Sequence, residues 1–132
     1  MYRLLKTHTF HNGAGRVGTI WIAPATFAAQ FPQPSVVFKG KYTDGKVDRI
    51  WQFSRGGDHF DVYAYKATSH YLLDLPTPEE FWASTQPFNL TIASLHNCTD
   101  FVIHMRGSLP GTEETCKVRD RDVLFRVRGA QF

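Results

Sequence analysis

The chain has 132 residues, 42% of them hydrophobic and 20% charged, a composition that excludes a disordered or collagen-like chain and predicts one globular domain over residues 1–132. Residues 1–66 hold nine Lys/Arg and four Asp/Glu, a balance of +5, whereas residues 67–132 hold six and eight, a balance of −2. Since three consecutive basic residues occur nowhere, this asymmetry does not indicate a dedicated polyanion-binding cluster.

Residues 2–10 predict a first strand, and Asn12-Gly13 is a strong signal for a two-residue hairpin turn. Closing that turn would pair residues 2–10 with the strand at 16–22. This second strand is apolar on both faces, which is typical of a strand inside a sheet. We therefore expect a hairpin whose second strand lies away from the sheet edge.

Residues 13–18 also match the dinucleotide-binding pattern G-x-G-x-x-G. That pattern binds a cofactor only where it opens a helix. Here the β-type residues 19–22 follow at once, and Pro24 comes next. We interpret the glycines as part of a hairpin, and we predict no cofactor.

Residues 24–31 predict a short helix, because Pro24 suits the first helical position and apolar residues recur on one side. Residues 36–66 then predict a three-stranded antiparallel meander. Asp44-Gly45 and Gly56-Gly57 are its two hairpin turns, and closing them pairs Val36 with Phe53 and then Phe53 with Phe60. Both turns place one apolar set on a single face, which we predict to be core: Val36, Phe38, Tyr42, Val47, Trp51, Phe53, Phe60, Val62 and Ala64.

A second helix is predicted over 77–86, since Thr77 and Glu80 can form a capping box around Pro78. Three more strands are expected at 88–95, 100–106 and 122–128, with a loop at 107–115. The predicted fold class is α+β, with a mainly antiparallel curved sheet or partial barrel of about seven to eight strands and two short helices packed on one side.

The opposite face of the meander, here called the polar face, carries the candidate functional residues. Its first strand contributes Lys39 and Lys41, its middle strand Ile50 and Gln52, and its third strand His59, Asp61, Tyr63 and Tyr65. The second hairpin places Gln52 beside Asp61. Antiparallel sheets commonly leave one face in water, so a solvated surface competes with a binding surface as the interpretation.

The six histidines do not indicate a metal site. His8 and His11 lack the glutamate of the helical zinc motif, and on a strand these two positions would point to opposite faces. We therefore predict no bound metal.

Three functions are compatible with the polar face. The first is a small non-enzymatic ligand- or protein-binding or accessory domain that uses Lys39, Lys41, Ile50, Gln52, Tyr63 and Tyr65. An alternative is an acid–base enzyme of the isomerase or hydrolase type, with His59 as general base, Asp61 as its orienting group and Tyr63 as hydrogen-bond donor, in a pocket roofed by the two helices. A second alternative is weak nucleic-acid binding, against which the acidic residues of this face argue. Because no nucleophile motif occurs, we favour the non-enzymatic interpretation.

The expected partner is a protein or a small molecule. No signal-like or membrane-spanning apolar segment is found in the sequence, so a cytoplasmic location is predicted. Two N-glycosylation triplets, at Asn89 and Asn97, leave secretion as a minority alternative. The strand at 122–128 presents Leu124 outward, which leaves a homodimer open.

Overall fold

A computed structural model of the chain describes residues 1–11, 13–39 and 44–121. Within these ranges seven strands form one antiparallel sheet, and three helices pack against it. The strands are β1 (Arg3–Leu4), β2 (Gly15–Ile22), β3 (Val36–Val37), β4 (Arg49–Arg55), β5 (Asp58–Tyr63), β6 (Phe88–Ser94) and β7 (Lys117–Asp120). The helices are α1 (Pro24–Gln30), α2 (Pro78–Trp82) and α3 (Thr99–Ser108). The predicted α+β class with an antiparallel sheet is therefore confirmed.

The strand order is β1-β4-β5-β6-β2-β7, and β3 pairs with the same edge of β4 as β1 does. The predicted hairpin between residues 2–10 and 16–22 is wrong, because β1 pairs with β4 and β2 lies between β6 and β7. Asn12 lies outside the described residues. The interior position of β2 is confirmed, and it follows from a strand that is apolar on both faces and can bury both only between two neighbours.

One of the two predicted hairpins of the meander is confirmed. Arg55 lies opposite Asp58 across the Gly56-Gly57 turn, and Gly56 has the positive φ of 61° that such a turn favours. As a result Phe53 lies opposite Phe60, as predicted.

The first register of the meander is wrong. Val36 lies opposite Ile50 and not opposite Phe53, because the edge of β4 beside Phe53 is already occupied by Leu4 of β1. The partner of Val36 is therefore shifted along β4 by an odd number of residues. Because side chains alternate between the two faces of a sheet, this shift moves the side chains of β3 to the face opposite the predicted one. Phe38, two residues beyond Val36, consequently borders a pocket on the polar face, away from the core beneath it. Val47 borders the same pocket because it precedes β4 and does not follow that strand's alternation. Tyr42 lies outside the described residues.

The apolar face of β4 and β5 forms the centre of the core. The Trp51 ring lies 5.0 Å from the Phe27 ring of α1 and 4.7 Å from the Trp82 ring of α2. Phe101 of α3 stacks on Phe60 with ring centroids 4.8 Å apart. All three helices therefore cover one face of the sheet, as large aromatic side chains bury their area there. The predicted capping box of α2, formed by Thr77 and Glu80, is also confirmed.

The strand predicted at 100–106 is wrong, since α3 spans this segment. Its β-branched residues favoured a strand, but Phe101, Val102 and Met105 are buried at a helical spacing while Ile103 is exposed. The strand predicted at 88–95 is confirmed as β6, and the one predicted at 122–128 lies outside the described residues. No helix in the described part of the chain has the length and apolar character needed to cross a bilayer.

Candidate functional site

The centre of the polar face is buried where β4 and β5 pair. Gln52 is fully buried, and Asp61 is only 6% exposed. The cover is the N-terminal segment, defined here as residues 5–11, which connects β1 to the residues before β2. The solvated interpretation of this part of the face is therefore wrong, since polar side chains are removed from water here and must find partners within the protein.

Gln52 joins the N-terminal segment to the sheet through its side-chain amide. Its Oε1 accepts a hydrogen bond of 2.7 Å from the Thr9 N–H, and its Nε2 donates to the Thr9 carbonyl at 2.7 Å. The same Nε2 donates to Asp61 Oδ1 at 2.9 Å across the β4–β5 pair. The Gln52 amide thus binds the backbone N–H and carbonyl of Thr9 and one carboxylate oxygen of Asp61.

Two imidazoles meet the second oxygen of that carboxylate. His8 Nε2 donates to Asp61 Oδ2 at 3.0 Å, and His11 Nε2 lies 3.1 Å from the same atom. The His8 and His11 side chains are 16% and 10% exposed, so water reaches this cluster only partly. Hydrogen bonds to an ionised carboxylate are among the stronger ones in proteins, especially in a partly dry site.

The path of the N-terminal segment explains how both histidines reach one carboxylate. Leu5 continues from β1, its N–H donating to the Gln52 carbonyl at 2.8 Å, while its own carbonyl accepts from Ser35 Oγ at 2.7 Å. Residues 5–11 then form neither helix nor strand. The expectation that His8 and His11 point to opposite faces is therefore wrong, because it assumed the alternation of a strand.

A pocket of about 350 Å³ opens beside the cluster. His8, His11 and Asp61 form one part of its wall, and Tyr63 adds a phenol. The remaining wall is mostly apolar: Phe10, Ala14, Phe38, Val47, Ile50 and Ala93, with Asp44 also on the lining. The volume lies within the range of small-molecule sites, which combine apolar walls with a few polar groups.

Tyr63 contributes to this pocket a phenol whose pKa is raised. Burial raises the pKa of Tyr63 above its usual value, and the neighbouring Asp61 carboxylate raises it further. Both causes disfavour the phenolate. At neutral pH Tyr63 therefore offers the pocket an O–H that can donate a hydrogen bond.

The predicted site residues separate into two groups. Ile50, Asp61 and Tyr63 line the pocket, and Gln52 supports it from below. The His59 ring lies 6.0 Å from that of His11, while the imidazole hydrogen-bonded to Asp61 is that of His8. The predicted roof of helices is wrong, because α1 and α2 cover the opposite face of the sheet.

Two of the remaining predicted residues, Lys39 and Tyr65, are outside the pocket lining. Lys39 is exposed, and Tyr65 follows the end of β5 with its ring 5.1 Å from the Lys66 ammonium group. Lys41 lies outside the described residues. Nucleic-acid binding through these side chains stays a prediction, and binding that falls steeply with salt would support it.

The cluster also contains the donor types that transition metals prefer. The ligand atoms of His8, His11 and Asp61 all lie within 4.8 Å of one another. The spacing His-x-x-His in the sequence could have drawn attention to the two histidines, but nothing local connects them to Asp61, some 50 residues later in the chain. No protein-family model matches the chain, and no curated protein matches it significantly.

Proposed function

We propose that this chain is a small ligand-binding domain whose ligand occupies the pocket on the polar face. The observation that carries this proposal is the junction, in one concavity of about 350 Å³, of apolar walls with the His8–Asp61–His11 cluster and the Tyr63 phenol. Converging polar groups in an otherwise apolar pocket are the usual composition of a ligand site. A concavity of this kind suits a small molecule better than a flat protein interface.

The expected ligand is compact, with an apolar body and one polar end. Phe38, Val47 and Ile50 would contact the apolar body, and Tyr63 would donate to the polar end. Phe10 lines the pocket although 80% of its surface is exposed. A bound molecule would cover part of this ring and remove apolar surface from water, which favours binding by about 25 cal/mol per Å².

The proposal is tested by calorimetric titration with 2-naphthol, a flat apolar molecule with one hydroxyl group. Val47→Trp places an indole at the pocket wall from a position outside the strands, and it should weaken binding by about tenfold or more, equivalent to about 1.4 kcal/mol. Leu73→Trp is the matched control, because Leu73 is 96% exposed and outside the pocket lining. Equal affinity in both variants, or no binding by the parent protein, would contradict the proposal.

An acid–base enzyme is the second candidate, favoured by the 3.0 Å contact between His8 and Asp61. A carboxylate beside an imidazole fixes its tautomer and orientation for proton transfer. In this form His8 replaces His59 as the base, and Tyr63 donates a hydrogen bond to the substrate. Hydrolysis of 2-naphthyl acetate by the parent protein that is lost in His8→Gln would support this candidate. If the parent protein hydrolyses the ester no faster than buffer does, the enzyme candidate fails and ligand binding stays as the proposed function.

A further inference from the structure

Two of the separations among the three donor atoms beside the pocket match those of a metal coordination sphere. Ligand bonds of about 2.1 Å place two donors about 3.0 Å apart at a right angle and about 3.4 Å apart at the tetrahedral angle. Asp61 Oδ2 lies 3.0 Å from His8 Nε2 and 3.1 Å from His11 Nε2. Both distances match two ligands at about a right angle around one cation, and the three ligand atoms all lie within 4.8 Å of one another.

The surroundings of the cluster also resemble those of a metal centre. Ligating carboxylates are normally held by a second hydrogen bond, which fixes their orientation. Here Gln52 donates to Asp61 Oδ1 and leaves Oδ2 to face the two imidazoles. The same fully buried amide holds the backbone of Thr9, between the two histidines in sequence. One side chain thus positions the carboxylate together with the segment that carries both imidazoles.

The number of protein ligands distinguishes the kind of centre. Structural zinc sites use four protein ligands, whereas sites that bind exchangeable molecules use three and keep at least one open position. Two histidines with one carboxylate form such a three-ligand set, which suits several divalent transition metals. All three residues border the pocket, so open positions would face it.

We infer that His8, His11 and Asp61 bind one divalent transition-metal ion, and that this ion coordinates the carboxylate of an apolar acid in the pocket. Neutral imidazoles and one carboxylate leave a divalent ion with one positive charge, which an anionic head group would neutralise. Asp44 also lines the pocket, but its Oδ2 lies 3.7 Å from Lys46 Nζ, which balances its charge. The ligand part of this inference rests on the proposed function, whereas the metal part does not.

The metal part is tested by titrating EDTA-stripped protein with Zn²⁺ by calorimetry and with Co²⁺ by visible absorption. One equivalent should bind. Asp61→Asn and His8→Gln each remove one of three ligands and should each weaken binding by about 100-fold or more, since loss of an outer-shell partner alone costs about 10–100-fold. His96→Gln is the matched control, because His96 Nε2 lies 3.2 Å from Asp58 Oδ1 in a similar but exposed pair. Thr7→Ala alters the same segment at an exposed residue outside the pocket lining, and it should keep the parent affinity.

An NMR spectrum of the backbone amides must show that Asp61→Asn is folded like the parent before its loss of affinity is used. If Asp61→Asn is not folded, His11→Gln replaces it as the ligand variant. Absence of Zn²⁺ binding would overturn the metal site, and so would equal binding by the parent and the folded ligand variants. The cluster would then be a hydrogen-bonded carboxylate with two imidazoles.

The ligand part is tested with 2-naphthoate and 2-naphthol, each with Zn²⁺ and with EDTA. We expect 2-naphthoate to bind at least tenfold more tightly with Zn²⁺, and 2-naphthol to bind under both conditions. Zinc binding without this gain for 2-naphthoate would overturn the assigned head group. If 2-naphthol fails to bind while Zn²⁺ binds as expected, the proposed function fails and the metal site stands.

Discussion

Replacing Gln52 by Leu tests whether one buried amide holds the N-terminal segment over the sheet. The two side chains have similar volumes, so Gln52→Leu removes hydrogen bonds without opening a large cavity. Three bonds are lost, two to Thr9 and one to Asp61. Thr9 is exposed, so water can replace part of its two bonds, each worth about 0.5–1.5 kcal/mol. The bond to the buried carboxylate is worth about 1.5–3 kcal/mol, because its acceptor is charged.

The expected decrease in the free energy of unfolding is therefore about 2–4 kcal/mol, measured by urea denaturation. Gln86→Leu is the control, since Gln86 is exposed and the same change there should alter stability by less than about 0.5 kcal/mol. The affinity for 2-naphthol should fall in Gln52→Leu as well, because the wall carrying His8 and His11 loses its anchor. A decrease in stability below about 1 kcal/mol, or one equal to that of the control, would refute this reasoning.

Three further predictions concern other parts of the fold and the pocket phenol. Thr77→Ala removes the N-cap of α2 and should reduce stability by about 1 kcal/mol in a denaturation experiment. Hydrogen bonds from Thr77, first from its backbone N–H and second from its hydroxyl, lower the pKa of Glu80, so their contribution to stability is lost as pH falls through the lowered value. Thr77→Ala keeps the N–H and removes the hydroxyl, so an NMR titration should find that pKa only part of the way back to its usual range. Gly18→Ala would bring its new Cβ 2.6 Å from a backbone oxygen of β7 and should cost about 1–3 kcal/mol in thermal or urea unfolding, whereas Gly15→Ala meets nothing within 4 Å and should be near neutral. Since the pKa of Tyr63 is raised, its contribution to stability is present below the usual tyrosine pKa and is lost as pH rises through the raised value. Tyr63→Phe should therefore lose less stability at alkaline pH than the parent does. An equal loss in the two proteins would contradict this.

The sequence predicted the parts of the fold that depend on local signals. The Gly56-Gly57 turn fixed the β4–β5 register, and with it the neighbouring positions of Gln52 and Asp61. The capping box at Thr77 likewise determined where α2 begins. The turn and the capping box each depend on residues a few positions apart, so both can be recognised in the sequence without knowing how distant segments pack.

The errors occurred where distant segments compete for the same partner. The edge of β4 is shared by β1 and β3, and the sequence of residues 36–51 contains no sign that Leu4 occupies the place opposite Phe53. Segment 100–106 is predicted as a strand but forms part of α3, where the burial of Phe101 and Met105 follows helical spacing. Tertiary contacts decided both cases.

Only part of the candidate site could be predicted from the sequence. Asp61, Tyr63 and Ile50 were identified because they share a face of a correctly registered hairpin. His8 and His11 could not be added, because their approach to Asp61 depends on an irregular segment held by Gln52. Irregular backbone follows no periodicity, so a sequence pattern cannot say which way its side chains point.

Chemical-shift mapping with 2-naphthol on ¹⁵N-labelled protein tests the central claim most directly. If the ligand occupies the pocket on the polar face, the largest changes should fall on the amides of Phe10, Ile50 and Tyr63, which line that pocket. The amides of α3, on the opposite face of the sheet, should change little. Changes concentrated on α3 or spread evenly over the surface, or none at saturating ligand, would contradict the claim that this protein binds its ligand on the polar face.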